Sequence, residues 1–152
     1  MRVLTSPEET QNFSKDSGII VLNPKAVYIV QSEEEIPLVA DKAVDQGITL
    51  TPRGSGTGIP SQSVGRGFVL VQDRKAVRVE GAGVLCEPAA IKADVNSALD
   101  RDRRWMPVDP SSYRMCSVGG MVVIIHPARG RSSMVPLLTM WKSSEFSFLE
   151  EE

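Results

Sequence analysis

A strand–helix–strand pattern that ends in a glycine-rich loop limits the folds open to this chain more than any other feature. Residues 26–30 (AVYIV) predict a buried strand. A helix is predicted next, with Ser32 as its N-cap, Glu35 at the capping-box position and Gly47 at its C-terminal end. Residues 48–51 predict a second strand. Because short links join these elements into a βαβ unit, we expect the two strands to run parallel.

The second strand leads into residues 52–58 (PRGSGTG), where glycine occupies every second position from Gly54 onward. Several N–H groups can point at one phosphate only where the backbone takes unusual dihedral angles and no Cβ intervenes, and glycine meets both conditions. The hydroxyls of Ser55 and Thr57 can donate as well. The loop lacks the lysine of a P-loop, and Pro60 stands where a Rossmann helix would begin. By itself, the pattern is compatible with a phosphate cradle and equally with a flexible surface turn.

The chain beyond this loop is predicted to contain three more strands and a helix. The strands are expected at residues 67–72, 76–80 and 84–87, with the first two joined at residues 73–75. Residues 91–100 carry apolar side chains at helical spacing. These elements predict a second group of strands with a helix beside it.

A second polar segment follows the predicted helix. Residues 109–112 (DPSS) are separated by three residues from residues 116–120 (CSVGG), which we interpret as another polar turn that ends in glycines. Taken alone, DPSS most often forms a simple turn. Two such turns in one small domain indicate a ligand that is held between them.

Composition and charge exclude several function classes. With 17 basic and 19 acidic residues, the net charge of −2 provides no electrostatic footprint for nucleic acid. No apolar run is long enough to span a membrane and the N-terminus lacks the apolar core of a signal peptide, so we expect a cytoplasmic protein. Cys86 and Cys116 match no metal-ligand spacing. The single histidine, His126, is a poor metal candidate because a metal site needs several ligands.

Together, the motifs resemble the FAD-linked oxidase family, which includes D-lactate dehydrogenases, the glycolate oxidase flavin subunit and vanillyl-alcohol oxidase. Residues 52–58 are similar to the family's pyrophosphate loop, P-R-G-x-G-T-x. Residues 109–112 and 117–122 are similar to its P-D-P-S-S … T-I-G-G-N-V segment, and residues 13–16 (FSKD) resemble its Y-S-x-D motif. Residues 60–61 (PS) depart from the pattern, because they replace a usual pair of glycines.

The resemblance implies an α+β fold, the FAD-binding domain of the vanillyl-alcohol oxidase type, with a small βαβ lobe followed by part of a second mixed or antiparallel lobe. We expect the first lobe at residues 1–66 and the start of the second at residues 67–122. It also implies FAD as the cofactor, with its pyrophosphate held by backbone N–H groups of the first loop. The residues identified by this resemblance as FAD contacts are Arg53, Gly54, Ser55, Gly56, Thr57, Gly58, Pro110, Ser111, Ser112, Ser117, Gly119 and Gly120.

The family pattern stops after Val122, and residues 123–152 are predicted to be a tail outside it. One possible set of codons for residues 123–142, read two bases later, encodes NNSSGPRSVKYGTTVDNVE, which resembles the family's expected continuation. The codons of methionine and tryptophan admit no choice, and they yield a glycine and the final Val-Glu of that string. We therefore hypothesise that a frameshift near Val122 truncated a longer flavoenzyme.

Three functional interpretations stay open at this point. The chain is either an FAD-binding fragment of an FAD-linked oxidoreductase that acts on a 2-hydroxy acid such as D-lactate or glycolate, or a stand-alone flavin- or nucleotide-binding module that works with a partner subunit, or a truncated remnant without function. We expect no turnover from the chain alone, because no residue can be named as a catalytic base. Apolar surface left by truncation would favour a homodimer.

Overall fold

The computed structural model of the chain describes residues 1–81, 83–124, 141–142 and 145–147. The chain divides into two compact units, Met1–Arg74 and Lys75–Glu152. The boundary lies later than residue 66, where the sequence predicts it. The reason is that strand Phe68–Gln72 forms its ladders with strands of the first unit, so the first unit includes it.

The first unit contains a four-stranded mixed sheet. Its strands are β1 (Arg2–Leu4), β2 (Ala26–Val30), β3 (Leu50–Arg53) and β4 (Phe68–Gln72), in the spatial order β1-β2-β4-β3. Strand β4 is parallel to both β2 and β3, whereas β1 is antiparallel to β2. The predicted parallel course of β2 and β3 is therefore confirmed, with β4 inserted between them.

The first unit also contains the helices α1 (Pro7–Thr10) and α2 (Glu35–Asp45). The prediction of Ser32 as the N-cap of α2 is wrong: the helix begins later, with Glu34 at the cap position and no side-chain cap. The Glu35 carboxylate instead accepts the backbone N–H of Gln31 at 2.7 Å and pairs with the N-terminal ammonium.

Gly47 ends α2, as the sequence predicts. Its φ is +60°, in the left-handed region that glycine enters without a Cβ penalty. The N–H groups of Gly47 and Ile48 donate to the carbonyls of Val44 and Ala43, at 3.0 and 2.8 Å, which satisfies the last turn of the helix in a Schellman motif.

Both faces of the first sheet bury apolar side chains. On one face, α2 covers a cluster formed by Ala26, Tyr28, Val30, Val39, Ala43, Phe68 and Leu70. The other face buries Leu4, Val27 and Val69. A strand buried on both faces is apolar at every position instead of at alternate positions, which explains the unbroken apolar run of β2.

The second unit contains a four-stranded antiparallel sheet with the order β5-β6-β8-β7. Its strands are β5 (Val77–Glu80), β6 (Gly83–Cys86), β7 (Trp141–Lys142) and β8 (Glu145–Ser147). The strands predicted on either side of residues 73–75 thus belong to different sheets. Two of these strands, β7 and β8, come from the predicted tail: β8 pairs with β6, and β7 pairs with β8. His126 lies outside the described residues.

Two helices belong to the second unit, α3 (Lys92–Leu99) and α4 (Val118–Ile124). Helix α3 confirms the predicted helix at residues 91–100. The prediction that residues 116–120 form a turn is wrong, because α4 begins within them. The core of this unit consists of Val84, Cys86, Ala90, Val95, Leu99, Met106, Val108, Cys116, Val118 and Met121.

Candidate functional site

The loop at residues 54–58, which leaves the end of β3, has a backbone whose N–H groups are open to a ligand. Among the described residues, none of these five N–H groups donates to a protein acceptor, and the hydroxyls of Ser55 and Thr57 also have no protein partner. Gly56 has a φ of +72°, which favours glycine. Consecutive N–H groups without internal acceptors form a donor set that fits the oxygens of a phosphate group.

Arg53 supports this loop from within the first unit. Its Nη1 donates to the carbonyl of Ser63 at 2.9 Å, and its Nη2 donates to the carbonyl of Lys15 at 2.8 Å. The guanidinium lies 5.8 Å from the centre of the Phe13 ring. A Cβ added to Gly56 would lie 2.5 Å from Nη2, so the guanidinium fills the space that a side chain at position 56 would need.

Asp16 connects the segment at residues 15–18 to the residues that follow the loop. Its carboxylate accepts the backbone N–H of Gly18 at 2.8 Å and both the N–H and the hydroxyl of Ser63, at 3.3 and 3.2 Å. Burial acts to raise the pKa of Asp16, but hydrogen bonds from Gly18, Ser61 and Ser63 hold it below its ordinary value. Burial also lowers the pKa of Arg53, and the negative charge of Asp16 opposes that shift.

Ser61, which follows the loop at residues 54–58, adopts an uncommon backbone conformation. Its φ is +67°, in the left-handed region where residues other than glycine are disfavoured. The family pattern has a pair of glycines at positions 60–61. The structure thus gives the physical reason for glycine at one of them, and Ser61 occupies that position with a Cβ.

Residues 109–112 in the second unit form the predicted turn. The N–H of Tyr113 donates to the carbonyl of Pro110 at 3.0 Å, and the carbonyl of Ser112 accepts the N–H of Cys116 at 2.9 Å. The ammonium of Lys92, whose side chain is 3% exposed, pairs with Asp109 at 3.1 Å. A buried cation at the start of α3 therefore fixes the first residue of the DPSS segment.

Ser117 and Gly119 have local structural roles at the start of α4. The Ser117 side chain is buried and its Oγ accepts the N–H of Gly120 at 3.3 Å, as an N-cap residue does. The N–H of Gly119 donates to the carbonyl of Pro88 at 2.9 Å. A Cβ added to Gly119 would lie 3.0 Å from both that oxygen and the Pro88 Cβ, so glycine allows a close approach of two backbone segments.

Neither cysteine is a candidate for nucleophilic or metal chemistry. Both are buried free thiols. Burial raises the pKa of Cys86 to about 11 and also raises the pKa of Cys116, which leaves both thiols protonated at neutral pH. In the part of the chain that the structure describes, no group of histidine, cysteine and carboxylate residues could hold a metal ion.

The structure gathers six of the residues predicted as FAD contacts, Arg53 to Gly58, in one loop of the first unit, and the other six belong to the second unit. Sequence reasoning missed three supporting residues. Asp16 was indicated only as the aspartate of the Y-S-x-D resemblance. Ser63 and Lys92 carried no signal, because a serine in a polar loop and a lysine in a helix are usually exposed.

Comparison with known proteins gives a family for the chain. A family of FAD binding domains matches residues 24–133, which include both polar segments. The chain is 28% identical over 139 residues to D-2-hydroxyglutarate dehydrogenases of Pantoea ananatis and Escherichia coli. The match covers 86% of this chain but 13% and 14% of those proteins, so the chain spans a small part of its relatives' length.

Solved structures share the fold. The chain resembles an alkyldihydroxyacetonephosphate synthase with a TM-score of 0.73 and 13% identity, over 91% of this chain and 29% of that one. It resembles aclacinomycin oxidoreductase with a TM-score of 0.63 and 18% identity, over 82% of this chain and 27% of that one. These neighbours confirm the predicted α+β fold of the vanillyl-alcohol oxidase type.

Among the described residues, no helix combines the length and the apolar character that a membrane span requires.

The open N–H groups of residues 54–58 fit the phosphates of a dinucleotide, and the family match extends over this loop. The chain therefore belongs to the FAD binding domain family, and its cofactor is FAD.

Proposed function

We propose that this chain provides the FAD-binding part of an FAD-dependent dehydrogenase of 2-hydroxy acids. The relatives named D-2-hydroxyglutarate dehydrogenase support the reaction class. They also favour D-2-hydroxyglutarate over D-lactate or glycolate, the substrates expected from the sequence. All three molecules carry a hydroxyl group next to a carboxylate and differ in the remainder of the molecule. The single observation that supports the cofactor's place is the set of open N–H groups at residues 54–58.

The chain's own residues contribute binding and orientation. The N–H groups of residues 54–58 would hold the pyrophosphate by hydrogen bonds. Arg53 stays a predicted FAD contact: two of its five N–H groups donate to carbonyls of the protein, which orients the guanidinium beside the loop. Bound FAD would supply the acceptor for the two electrons removed from the substrate. No described residue is assigned the removal of the substrate's hydroxyl proton.

The cofactor part of this proposal is tested by titrating the purified chain against FAD and following flavin fluorescence. We expect saturable quenching with the wild-type chain. In Gly56→Ala, the affinity should fall at least 10-fold, because the new Cβ meets the Arg53 guanidinium and the left-handed φ disfavours alanine. The absence of quenching by a folded wild-type chain would contradict the proposal.

Gly47→Ala is the matched control for Gly56→Ala. Gly47 has a similar φ of +60°, and a Cβ added there meets nothing within 4 Å. Both variants therefore carry the backbone cost of alanine in the left-handed region, roughly 1–2 kcal/mol. If the two variants lost FAD affinity equally, general destabilisation would explain the loss, and residues 54–58 would no longer be supported as the phosphate site.

The substrate class needs a separate test. Residues 24–124 of this chain can replace the matching segment of the Escherichia coli D-2-hydroxyglutarate dehydrogenase, and bleaching of the flavin absorbance can be followed under anaerobic conditions. We expect bleaching by D-2-hydroxyglutarate, which requires the FAD-binding part supplied by this chain to work with the remainder of the host enzyme. A chimera that retains FAD but is not bleached by D-2-hydroxyglutarate would count against a place for this chain in such a dehydrogenase and would leave FAD binding intact.

A further inference from the structure

Residues 15–18, which we call the strap, are bonded to both ends of the cofactor loop. The carbonyl of Lys15 accepts the Nη2 of Arg53 at 2.8 Å, at the start of the loop. The hydroxyl of Ser17 donates to the carbonyl of Gly58 at 2.5 Å, at the end of the loop. The strap is distant in sequence from the loop, so these bonds determine where the loop lies relative to the rest of the first unit.

Asp16, which lies between these two residues of the strap, makes more of these hydrogen bonds than either of them. Its carboxylate accepts the backbone N–H groups of Gly18 and Ser63 and also the hydroxyl of Ser63, and the backbone N–H of Ser61 helps to lower its pKa. One negative charge thus faces four donors. Ser61 and Ser63 lie in the segment that follows the loop, and Ser61 is a residue other than glycine in the left-handed region.

The position of Ser61 explains why a charged acceptor is needed there. A serine with a φ of +67° tends to relax towards negative φ unless its surroundings hold it. The Asp16 carboxylate attracts the N–H of Ser61, which helps to lower the pKa of Asp16, and it accepts two hydrogen bonds from Ser63. Charge-assisted hydrogen bonds such as those to Ser63 are stronger than bonds between neutral groups. Arg53, which donates to the Ser63 carbonyl at 2.9 Å, provides a second hydrogen bond to the segment that follows the loop.

We propose that Asp16 is a positioning residue for FAD binding: it fixes Ser61 and Ser63, and through them the arrangement in which the N–H groups of residues 54–58 meet the cofactor's phosphates. This inference rests on the proposed function, in which the loop binds FAD. In this inference Asp16 acts through the loop, without a contact of its own with the cofactor.

The first test compares Asp16→Asn with Asp41→Asn. Asparagine has nearly the same size as aspartate, but its amide nitrogen cannot accept a hydrogen bond. Asp41 is exposed on α2, so its variant matches the change in charge without touching the loop. We expect FAD affinity to fall about 10-fold in Asp16→Asn, the size of one lost charge-assisted bond, and to be unchanged in Asp41→Asn. Equal affinities in the two variants would overturn the inference.

The second test is a rescue that a general loss of stability would not produce. If Asp16 acts by holding Ser61 in the left-handed region, glycine at position 61 removes part of the need for it. Ser61→Gly should therefore restore at least 3-fold of the affinity lost in Asp16→Asn, while changing the affinity of the wild-type chain much less. Equal effects of Ser61→Gly in both backgrounds would show that the two residues are independent and would overturn the inference.

Amide hydrogen exchange of the chain without FAD separates failure of this inference from failure of the proposed function. In Asp16→Asn, the amides of Ser61 and Ser63 should exchange faster than in the wild type, whereas Asp41→Asn should leave them unchanged. Unchanged exchange at both amides would overturn the inference whether or not FAD binds. Faster exchange in a chain whose wild type binds no FAD would refute the proposed function instead.

Discussion

The two glycine-bearing segments of this chain were both predicted to form polar turns, but they have different structures. Residues 54–58, after the end of β3, form an open loop whose N–H groups have no protein acceptor among the described residues. Residues 116–120, predicted to form a comparable turn, instead lead into helix α4. In the first segment, Gly56 supplies a positive φ. In the second, Gly119 supplies close packing against Pro88. Glycine therefore indicates a special backbone requirement without saying which one it is.

The difference has a consequence for the site. The N–H groups of residues 54–58 have no acceptor among the described residues, so a ligand is the natural acceptor for them. Ser117 and Gly119 already have local partners, since one caps α4 and the other donates to Pro88. Their roles as FAD contacts stay a prediction, and substitution there should first affect the stability of the second unit.

Gly119→Val should give the largest effect on stability. The added side chain would overlap the carbonyl and the Cβ of Pro88, each 3.0 Å from the position of the new Cβ. Overpacking of this kind costs about 2 kcal/mol. Urea unfolding followed by circular dichroism measures the loss. Gly120→Val is the matched control, because a Cβ there meets only the Ser117 hydroxyl, at 3.1 Å. An equal loss in both variants would mean that valine in α4, and not contact with Pro88, is responsible.

Apolar pattern and turn chemistry were sufficient to predict much of the fold. The buried strand at Ala26–Val30, the end of α2 at Gly47, the parallel course of β2 and β3, and the helix α3 could all be predicted from residues close in sequence. The insertion of β4 between β2 and β3 could not, because the order of strands in a sheet depends on contacts distant in sequence. The same limit separated residues 67–72 and 76–80, which adjacent sequence suggests as partners, into two sheets.

The candidate site, like the fold, could be predicted only in part from the sequence. Glycine spacing together with the family resemblance indicated the loop, because both depend on residues within the loop itself. The supports of the loop could not be found in this way. Asp16 lies far from Ser61 and Ser63 in sequence, and nothing local to an aspartate shows which N–H groups it will accept. Arg53 was predicted as an FAD contact from the family resemblance, and its two hydrogen bonds to carbonyls of the protein could not be predicted from the sequence.

The free energy of unfolding should depend on pH through Cys86, a buried thiol of the second unit. Burial raises its pKa in the folded chain to about 11, from 9.0 for an ordinary thiol. Because the folded pKa is the higher one, the contribution to stability is complete below pH 9 and is lost as the pH rises towards 11. The wild type should therefore lose about 1 kcal/mol more than Cys86→Ala between pH 9 and pH 10. Parallel unfolding free energies for the two proteins over this interval would contradict the burial of the thiol.

The smallest effect is expected at Ser61, where the first unit lacks the glycine that its backbone favours. Ser61→Gly removes a Cβ from a residue with a φ of +67°, so we expect a gain of about 0.5–1 kcal/mol in urea unfolding, since glycine's greater freedom in the unfolded chain offsets part of the relief. Ser63→Gly is the matched control with the opposite sign, because it deletes a hydroxyl that donates to Asp16 at 3.2 Å. A loss of stability in both variants would mean that the φ of Ser61 carries no strain, and the glycine requirement of the first loop would then be confined to Gly56.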